Sequence, residues 1–113
     1  MAYLSGAAAE EGVARHYERS GHLIVERRWR GQGGEIDLIA QKGAQTVFIE
    51  VKQATDHATA AERLQPRQIA RLFDSASEYM AGLPGGQNAD VRFDVALVDG
   101  QGRIEILENA LTA

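Results

Sequence analysis

Apolar and polar residues alternate through the middle of the chain in the pattern of two adjacent β-strands. The strands are predicted at about Glu35–Gln41 and Gln45–Lys52, where branched, aliphatic and aromatic side chains favour a pleated, half-buried surface. Gly43 and Ala44 are enough to join them as a two-residue loop, with Gly43 at the first central position of a II′ turn, where φ is positive. The sequence therefore predicts a β-hairpin whose register is fixed by its turn.

The predicted register brings two acidic side chains together. Counting back from the turn pairs Leu38 with Ile49, and the next pair is Asp37 and Glu50, with Cβ atoms roughly 5 Å apart. Like charges at that spacing are unfavourable, and a divalent cation between them would offset the repulsion, because Mg²⁺ takes oxygen ligands and often only one or two protein carboxylates. Strand alternation puts Lys52 on the same face as Glu50, where its charge suits a phosphate group. The spacing alone leaves a second interpretation open, in which these residues are the polar face of an ordinary hairpin.

The N-terminal stretch has helical periodicity. Ser5 to about Ser20 carries an apolar stripe at spacings of three and four residues, and Gly21 provides a stop. The stripe consists of Ala9, Val13, Ala14 and Tyr17. Glu10 shares a face with the stripe and points inward, where an unpaired carboxylate is costly and needs a partner. Glu11 lies nearer solvent and fits the alternative role of an acid that complements the helix dipole.

A basic cluster overlaps the end of the first predicted strand. The strand spans about His22–Arg28, and Arg27–Arg30 holds three arginines with Trp29 among them. Arg28 and Arg30 are candidates for contacts with nucleic-acid phosphates, with the indole available to stack on a base. The alternative is a solvated strand end with one tryptophan in the core. The next four residues, three of them glycine, predict a flexible turn.

One further helix is predicted in the second half of the chain. Gln53–Gln65 is polar and weakly patterned, which indicates a loop or a weak helix. Pro66 suits the first position of a helix that runs to about Ala81 with a continuous apolar stripe. Arg67 and Arg71 lie on its outer face, and Arg67 is a third candidate for a phosphate contact.

The order of elements predicts the fold class. Strands at Val91–Val98 and Arg103–Leu107 complete the series helix, three strands, helix, two strands. This series predicts an α/β fold with a mixed sheet of about five strands flanked by two helices. The strands that end at Lys52 and begin at Val91 flank a helical crossover, so we expect them to be parallel neighbours.

The composition fits one domain spanning residues 1–113. An apolar fraction of 44% and a charged fraction of 25% are ordinary for a soluble globular protein. There are no cysteines, which excludes thiolate metal sites and thiol nucleophiles. No apolar run approaches the roughly 20 residues that cross a membrane. The N-terminal stretch has no basic segment ahead of an apolar one, so we expect no secretory signal and a cytoplasmic location.

The charge balance restricts the mode of nucleic-acid binding. A net charge of −4 argues against a protein that coats nucleic acid non-specifically, because that affinity comes mostly from Lys and Arg on phosphates. It leaves room for an enzyme with a local basic rim. Arginine, which suits bidentate phosphate contacts, far outnumbers lysine.

Three ordered motifs and the N-terminal helix together carry a family resemblance. The motifs are Gly34-Glu35-Ile36-Asp37-Leu38-Ile39-Ala40, Phe48-Ile49-Glu50-Val51-Lys52 and Arg92-Phe93-Asp94-Val95. The opening Gly6-Ala7-Ala8-Ala9-Glu10 segment, with a following Tyr17 and Gly21, belongs to the same pattern. Over nearly the whole chain these residues resemble the YraN-like family of small uncharacterised bacterial proteins.

That family is similar to the restriction-endonuclease-like (PD-(D/E)xK) superfamily, in a layout close to Holliday-junction resolvases and tRNA-endonuclease-type domains. The resemblance implies a central mixed sheet flanked by helices and a nuclease that uses Mg²⁺ or Mn²⁺ on DNA or RNA. By position, Asp37 and Glu50 would be metal ligands together with the Val51 backbone carbonyl. Lys52 would orient the attacking water or stabilise transition-state charge, and Glu10 would help to hold a second metal or an outer-shell water.

The chain departs from the family pattern after Lys52. Gln53-Ala54 stands where the family usually has Thr-Arg, and Arg67 stands where a lysine is common in the second helix. The missing arginine removes a phosphate contact and bears on substrate affinity more than on metal binding. An alternative therefore stays open, a catalytically inactive module on the same fold that binds nucleic acid or a protein partner. A domain this small cannot easily enclose a duplex, so a homodimer is a further expectation, which no motif supports.

Overall fold

In the computed structural model, residues 5–111 form an open five-stranded mixed sheet with three helices. The elements are α1 (Gly6–Arg19), β1 (Leu23–Gly31), β2 (Gly34–Lys42), β3 (Gln45–Gln53), α2 (His57–Glu62), α3 (Pro66–Met80), β4 (Val91–Val98) and β5 (Ile104–Leu107). Residues 1–4 and 112–113 lie outside the described residues, and they include part of the stretch on which the expectation of no secretory signal rests. In the described part of the chain, no helix is both long and apolar enough to cross a bilayer.

The strands lie in the sheet in chain order, and β3 and β4 are parallel. The other neighbouring pairs are antiparallel. α2 and α3 connect β3 to β4, which confirms the predicted parallel neighbours around a helical crossover. The β2–β3 hairpin pairs Lys42 with Gln45 and Leu38 with Ile49, as predicted. Gly43 has a φ of +60°, as the first central position of a II′ loop requires.

Each face of the sheet is covered by one long helix. The α1 face is built from Ala9, Val13, Ala14 and Tyr17 packed on Leu38, Ala40, Val47, Ile49, Ala96 and Val98. The α3 face includes Leu72, Ala76 and Met80 packed on Ile36, Ile39, Phe48, Val95 and Leu97. Burial dominates the stability, because one fully buried large apolar side chain contributes about 1.5–3 kcal/mol and an exposed ion pair about 0–1 kcal/mol.

β1 is longer than the sequence predicts. Trp29 pairs with Ile36 and Arg30 with Glu35, so the strand continues to Gly31. The indole of Trp29 packs on the α3 face of the sheet, where it meets the ring of Tyr79 edge-on at 5.2 Å. The basic cluster is therefore part of a second hairpin, and only two residues remain in the turn.

The connection after β3 contains a short helix where a loop or a weak helix was predicted. The side chain of Asp56 caps α2 by accepting a hydrogen bond from the Thr59 N–H at 2.8 Å. Ala60 is fully buried on the α3 face of the sheet. Helices this short are marginal on propensity alone, so α2 depends on its cap and on this packing.

Candidate functional site

The β2–β3 ladder ends where the predicted carboxylates begin. Its last pair is Leu38 with Ile49, and beyond it the Oδ2 atom of Asp37 accepts a hydrogen bond from the Val51 N–H at 2.8 Å. A side-chain oxygen thus occupies the place of a backbone acceptor. The two strands separate at this point, and the C-terminal part of β3 keeps β4 as its strand neighbour. We call this opening between β2 and β3 the notch.

Three of the four predicted catalytic residues meet in the notch. The carboxyl groups of Asp37 and Glu50 are close enough that the charge of Asp37 acts on Glu50. The Nζ atom of Lys52 lies 3.6 Å from the Glu50 Oε1 atom. The side chains of Glu50 and Lys52 are only 15% and 16% exposed. The predicted cross-strand pair of Asp37 and Glu50 does not form, because the ladder ends at Leu38 and Ile49 and the Asp37 side chain bonds the Val51 N–H instead.

Burial of this acidic pair changes its protonation. Removal from water raises the pKa of Glu50 to about 8, and the negative charge of Asp37 contributes to the same shift. Burial also raises the pKa of Asp37, although the hydrogen bond from Val51 opposes that shift. At neutral pH the pair therefore retains a proton. A cation bound between the two groups would take the place of that proton.

Glu10, the fourth predicted residue, lies beside the notch in an ion pair. Its Oε1 atom is 2.9 Å from the Nε atom of Arg28, which holds a φ of +50° in β1. This contact raises the pKa of Arg28, with smaller contributions from the charges of Glu35 and Asp37. Glu10 thus faces a guanidinium group, and within residues 5–111 no three His, Asp or Glu side chains are grouped as metal ligands.

The oxygen atoms near the notch are of the type that hard divalent cations bind. Asp37 and Glu50 supply carboxylate oxygens. The N–H and C=O groups of one strand residue point to the same neighbouring strand, so the Val51 carbonyl is directed to the side on which its N–H meets Asp37. The residues present could therefore hold Mg²⁺ or Mn²⁺ through these three groups.

A cavity of about 160 Å³ adjoins the Glu50 side chain. It lies between the start of β2 and the first turns of α3, and its lining consists of Gly34, Glu35, Glu50, Gln68, Arg71 and Leu72. Sequence reasoning placed Arg71 on the outer face of α3 without a function. The sequence feature that points to a role for Arg71 is its position four residues after Arg67, on the same side of the helix.

The three arginines proposed for nucleic-acid binding do not line this cavity. Arg28 is held by Glu10, and Arg30 forms an exposed ion pair of 3.3 Å with Glu35. Arg67 lines a neighbouring surface depression at the start of α3 with Gln65, Pro66 and Gln68, and Gln68 lines both spaces.

Asp94, from the third sequence motif, belongs to a buried network on the other face of the sheet. Its carboxylate is fully buried, and it accepts a hydrogen bond from the Tyr17 hydroxyl at 2.7 Å. Arg92 donates two further bonds of 2.8 Å, and the Asn109 N–H donates one of 2.9 Å. This network joins α1 to β4 and to the segment that follows β5.

Comparison with known proteins places the chain in one family. The model described as "Uncharacterised protein family UPF0102" matches residues 9–98. A UPF0102 protein of Cereibacter sphaeroides is 58% identical over all 113 residues of this chain and 97% of its own length. A UPF0102 protein of Ruegeria pomeroyi is 58% identical over 96% of this chain and 88% of its own, and one of Roseobacter denitrificans is 48% identical over 99% and 87%. The chain therefore belongs to the UPF0102 family, the YraN-like family whose motifs it carries.

Proposed function

We propose that this protein is a metal-dependent nuclease that hydrolyses phosphodiester bonds in DNA or RNA, on a restriction-endonuclease-like fold. The observation that carries the proposal is the buried notch, in which Asp37 accepts a hydrogen bond from the Val51 N–H and the Lys52 ammonium lies 3.6 Å from Glu50. Two acids buried side by side are unfavourable unless a proton or a cation compensates them. Such an arrangement suits a site that binds a cation.

Each residue of the notch has its own role in the proposed hydrolysis. Asp37 and Glu50, with the Val51 carbonyl, would hold Mg²⁺ or Mn²⁺. When bound, such a cation would supply Lewis-acid polarisation of the phosphoryl oxygen and a lowered pKa for the attacking water. Lys52 orients that water or stabilises negative charge on the phosphoryl oxygens. Its low exposure strengthens this interaction, because the surrounding dielectric is low.

Glu10 is the residue that would complete a second metal position or hold an outer-shell water. Its side chain is 18% exposed, and its partner Arg28 is 53% exposed. An exposed guanidinium can turn toward a substrate phosphate at little cost, which would release Glu10 toward the notch.

A binding module without catalysis is the second candidate, and the Glu10–Arg28 ion pair favours it. With Glu10 paired to Arg28, the proposed metal ligands reduce to Asp37, Glu50 and the Val51 carbonyl. A protein with one weak cation site and a basic rim would bind nucleic acid or a protein partner without cutting.

Calorimetric titration with Mn²⁺ tests the metal site. We expect heat of binding in the unsubstituted protein that Asp37→Ala abolishes. Glu11→Gln is the control. Glu11 follows Glu10 in α1, but it pairs with Arg15 and Arg27 at the surface. Absence of heat in the unsubstituted protein would remove the metal site from the proposal.

Incubation with single-stranded, duplex and branched DNA and RNA in Mn²⁺ tests the chemistry. Cleavage should be lost in Lys52→Ala and kept in Lys42→Ala, whose ammonium bonds the Ser20 carbonyl at the opposite end of β2. Equal cleavage by the Lys52 variant would mean a contaminating nuclease. Metal binding without cleavage of any substrate would favour the binding module.

A further inference from the structure

We propose that Arg71 binds a phosphate of the nucleic-acid substrate in the cavity beside Glu50. The inference rests on the proposed function and assigns one substrate contact within it. Arg71 lines the same cavity as Glu35 and Glu50, on the opposite wall formed by α3. A phosphate in this cavity would lie between the guanidinium on one side and the cation site on the other.

Within residues 5–111, no carboxylate forms an ion pair with the guanidinium of Arg71. Six other arginines have a carboxylate oxygen within 4.0 Å, namely Arg15, Arg27, Arg28, Arg30, Arg92 and Arg103. Arg71 forms no such pair with any residue between positions 5 and 111, although two acids line its cavity. Arg19, Arg63 and Arg67 also lack one there, but they do not line this cavity. Arg71 therefore keeps its donors available for an incoming anion.

The space between the guanidinium and the acids is large enough for a ligand group. The cavity volume of about 160 Å³ far exceeds the ~10–15 Å³ that one water molecule requires. Arginine binds phosphate oxygens through two parallel N–H groups, which gives direction as well as charge. Gln68, three residues earlier on α3, lines the same cavity and adds an amide donor.

The backbone of Arg71 is fixed against the turn that leads into the notch. The Ser75 hydroxyl donates to the Gly34 carbonyl at 2.8 Å. A Cβ atom on Gly33 would lie 2.9 Å from the Arg71 carbonyl oxygen, so the turn and α3 are in direct backbone contact. This contact sets the distance between Arg71 and Asp37, which lies three residues beyond Gly34 on β2. The Arg71 side chain itself is exposed.

Equilibrium binding of a short phosphorothioate duplex, which resists hydrolysis, tests the inference in Mn²⁺ by fluorescence anisotropy over a range of salt concentrations. Arg71→Ala should weaken binding about tenfold and lower the slope of log K against log salt by about 0.9, the value for one lost phosphate contact. Arg71→Lys should recover part of the affinity. Arg19→Ala, at the exposed C-terminal end of α1 and outside the cavity, should leave affinity and slope within twofold and about 0.3 of the unsubstituted protein.

The outcomes separate this inference from the proposed function. Equal weakening by Arg19→Ala and Arg71→Ala would mean a general electrostatic effect and would overturn the assignment of Arg71. If Arg71→Ala binds the duplex with unchanged affinity and still shows heat of Mn²⁺ binding, the assignment of Arg71 is wrong and the proposed metal site is kept. Absence of binding by the unsubstituted protein would overturn both. The Arg71 side chain is exposed, so a thermal melt of each variant should match the parent.

Discussion

The Nε atom of Arg28 lies 2.9 Å from the Oε1 atom of Glu10, and this ion pair joins β1 to α1 at the edge of the notch. Arg28 holds a φ of +50°, a conformation that costs a non-glycine residue on the order of 1 kcal/mol. The residue that would pair with it across the β1–β2 ladder is Asp37, and the pairs on either side are intact. An arginine in a strained conformation thus places its charge next to the acids that would hold a metal.

Removal of the Arg28 charge should strengthen metal binding. We predict that Arg28→Gln raises the affinity for Mn²⁺ several-fold, because the guanidinium no longer competes with the cation for Glu10 and no longer repels it. The gain should vanish when Glu10→Gln is present as well, which a double-mutant cycle measured by calorimetry will show. Arg27→Gln is the control, since Arg27 pairs with Glu11 at the surface. An equal gain in Mn²⁺ affinity in the Glu10→Gln background would contradict the competition between Arg28 and the cation for Glu10. It would indicate a general effect of charge.

The Glu50 proton makes stability depend on pH. The pKa of Glu50 is raised from 4.5 to about 8, so the native protein holds this proton more tightly than the unfolded chain does. The stability from the protonated carboxyl is complete below about pH 4.5 and is lost as the pH rises toward 8. Urea denaturation should therefore show a fall in the free energy of unfolding across this range that is smaller in Glu50→Gln.

Added Mn²⁺ tests whether a cation can replace the Glu50 proton. At pH 8 the metal should restore stability to the unsubstituted protein, because it replaces the lost proton, and should not do so in Glu50→Gln. Glu11→Gln removes the same charge at an exposed position and should follow the parent profile. Parallel pH profiles for the Glu50 variant and the parent would show that the buried pair does not hold the proton.

Much of the notch could be predicted because it follows from local rules. The loop at Gly43 leaves one register for the hairpin, and alternation along β3 then fixes the face of Glu50 and Lys52. Pro66 likewise marks the start of α3, as predicted. The separation of the strands at Asp37 was not foreseen, because it depends on a side-chain bond to Val51 that no pattern encodes.

Other features depend on contacts between distant parts of the chain. The conformation of Arg28 is tied to Glu10, 18 residues earlier, and neither residue has a local signal for the pair. Arg67 and Arg71 look alike on a helical projection. Their difference arises from the placement of α3 on the Gly33 turn, a tertiary contact that the sequence does not show.

The Tyr17–Asp94 hydrogen bond should contribute to stability without affecting the notch. We predict that Tyr17→Phe lowers the free energy of unfolding by about 1.5–3 kcal/mol, the range for a hydrogen bond to a charged group. Its Mn²⁺ titration should match the parent. Tyr79→Phe is the control, because the Tyr79 hydroxyl has no hydrogen-bond partner among residues 5–111, and it should cost less than about 0.5 kcal/mol. A weaker Mn²⁺ affinity in Tyr17→Phe would mean that α1 transmits the change to the notch through Glu10.

Gly33 should be intolerant of even one added methyl group. A Cβ atom there would lie 2.7 Å from the Asp74 Cβ atom and 2.9 Å from the Arg71 carbonyl oxygen, and both belong to the rigid part of α3. Gly33→Ala must therefore move the helix away from the turn, at a cost of about 1–3 kcal/mol in urea denaturation. Gly12→Ala is the contrasting variant. Gly12 lies within α1, and a Cβ atom there would meet only the Ile104 side chain, at an ordinary contact distance of 3.7 Å. It should stabilise the protein by about 0.5–1 kcal/mol. Since α3 carries Arg71, a Gly33→Ala protein that keeps the parent affinity for the phosphorothioate duplex would show that the position of the helix does not set that contact.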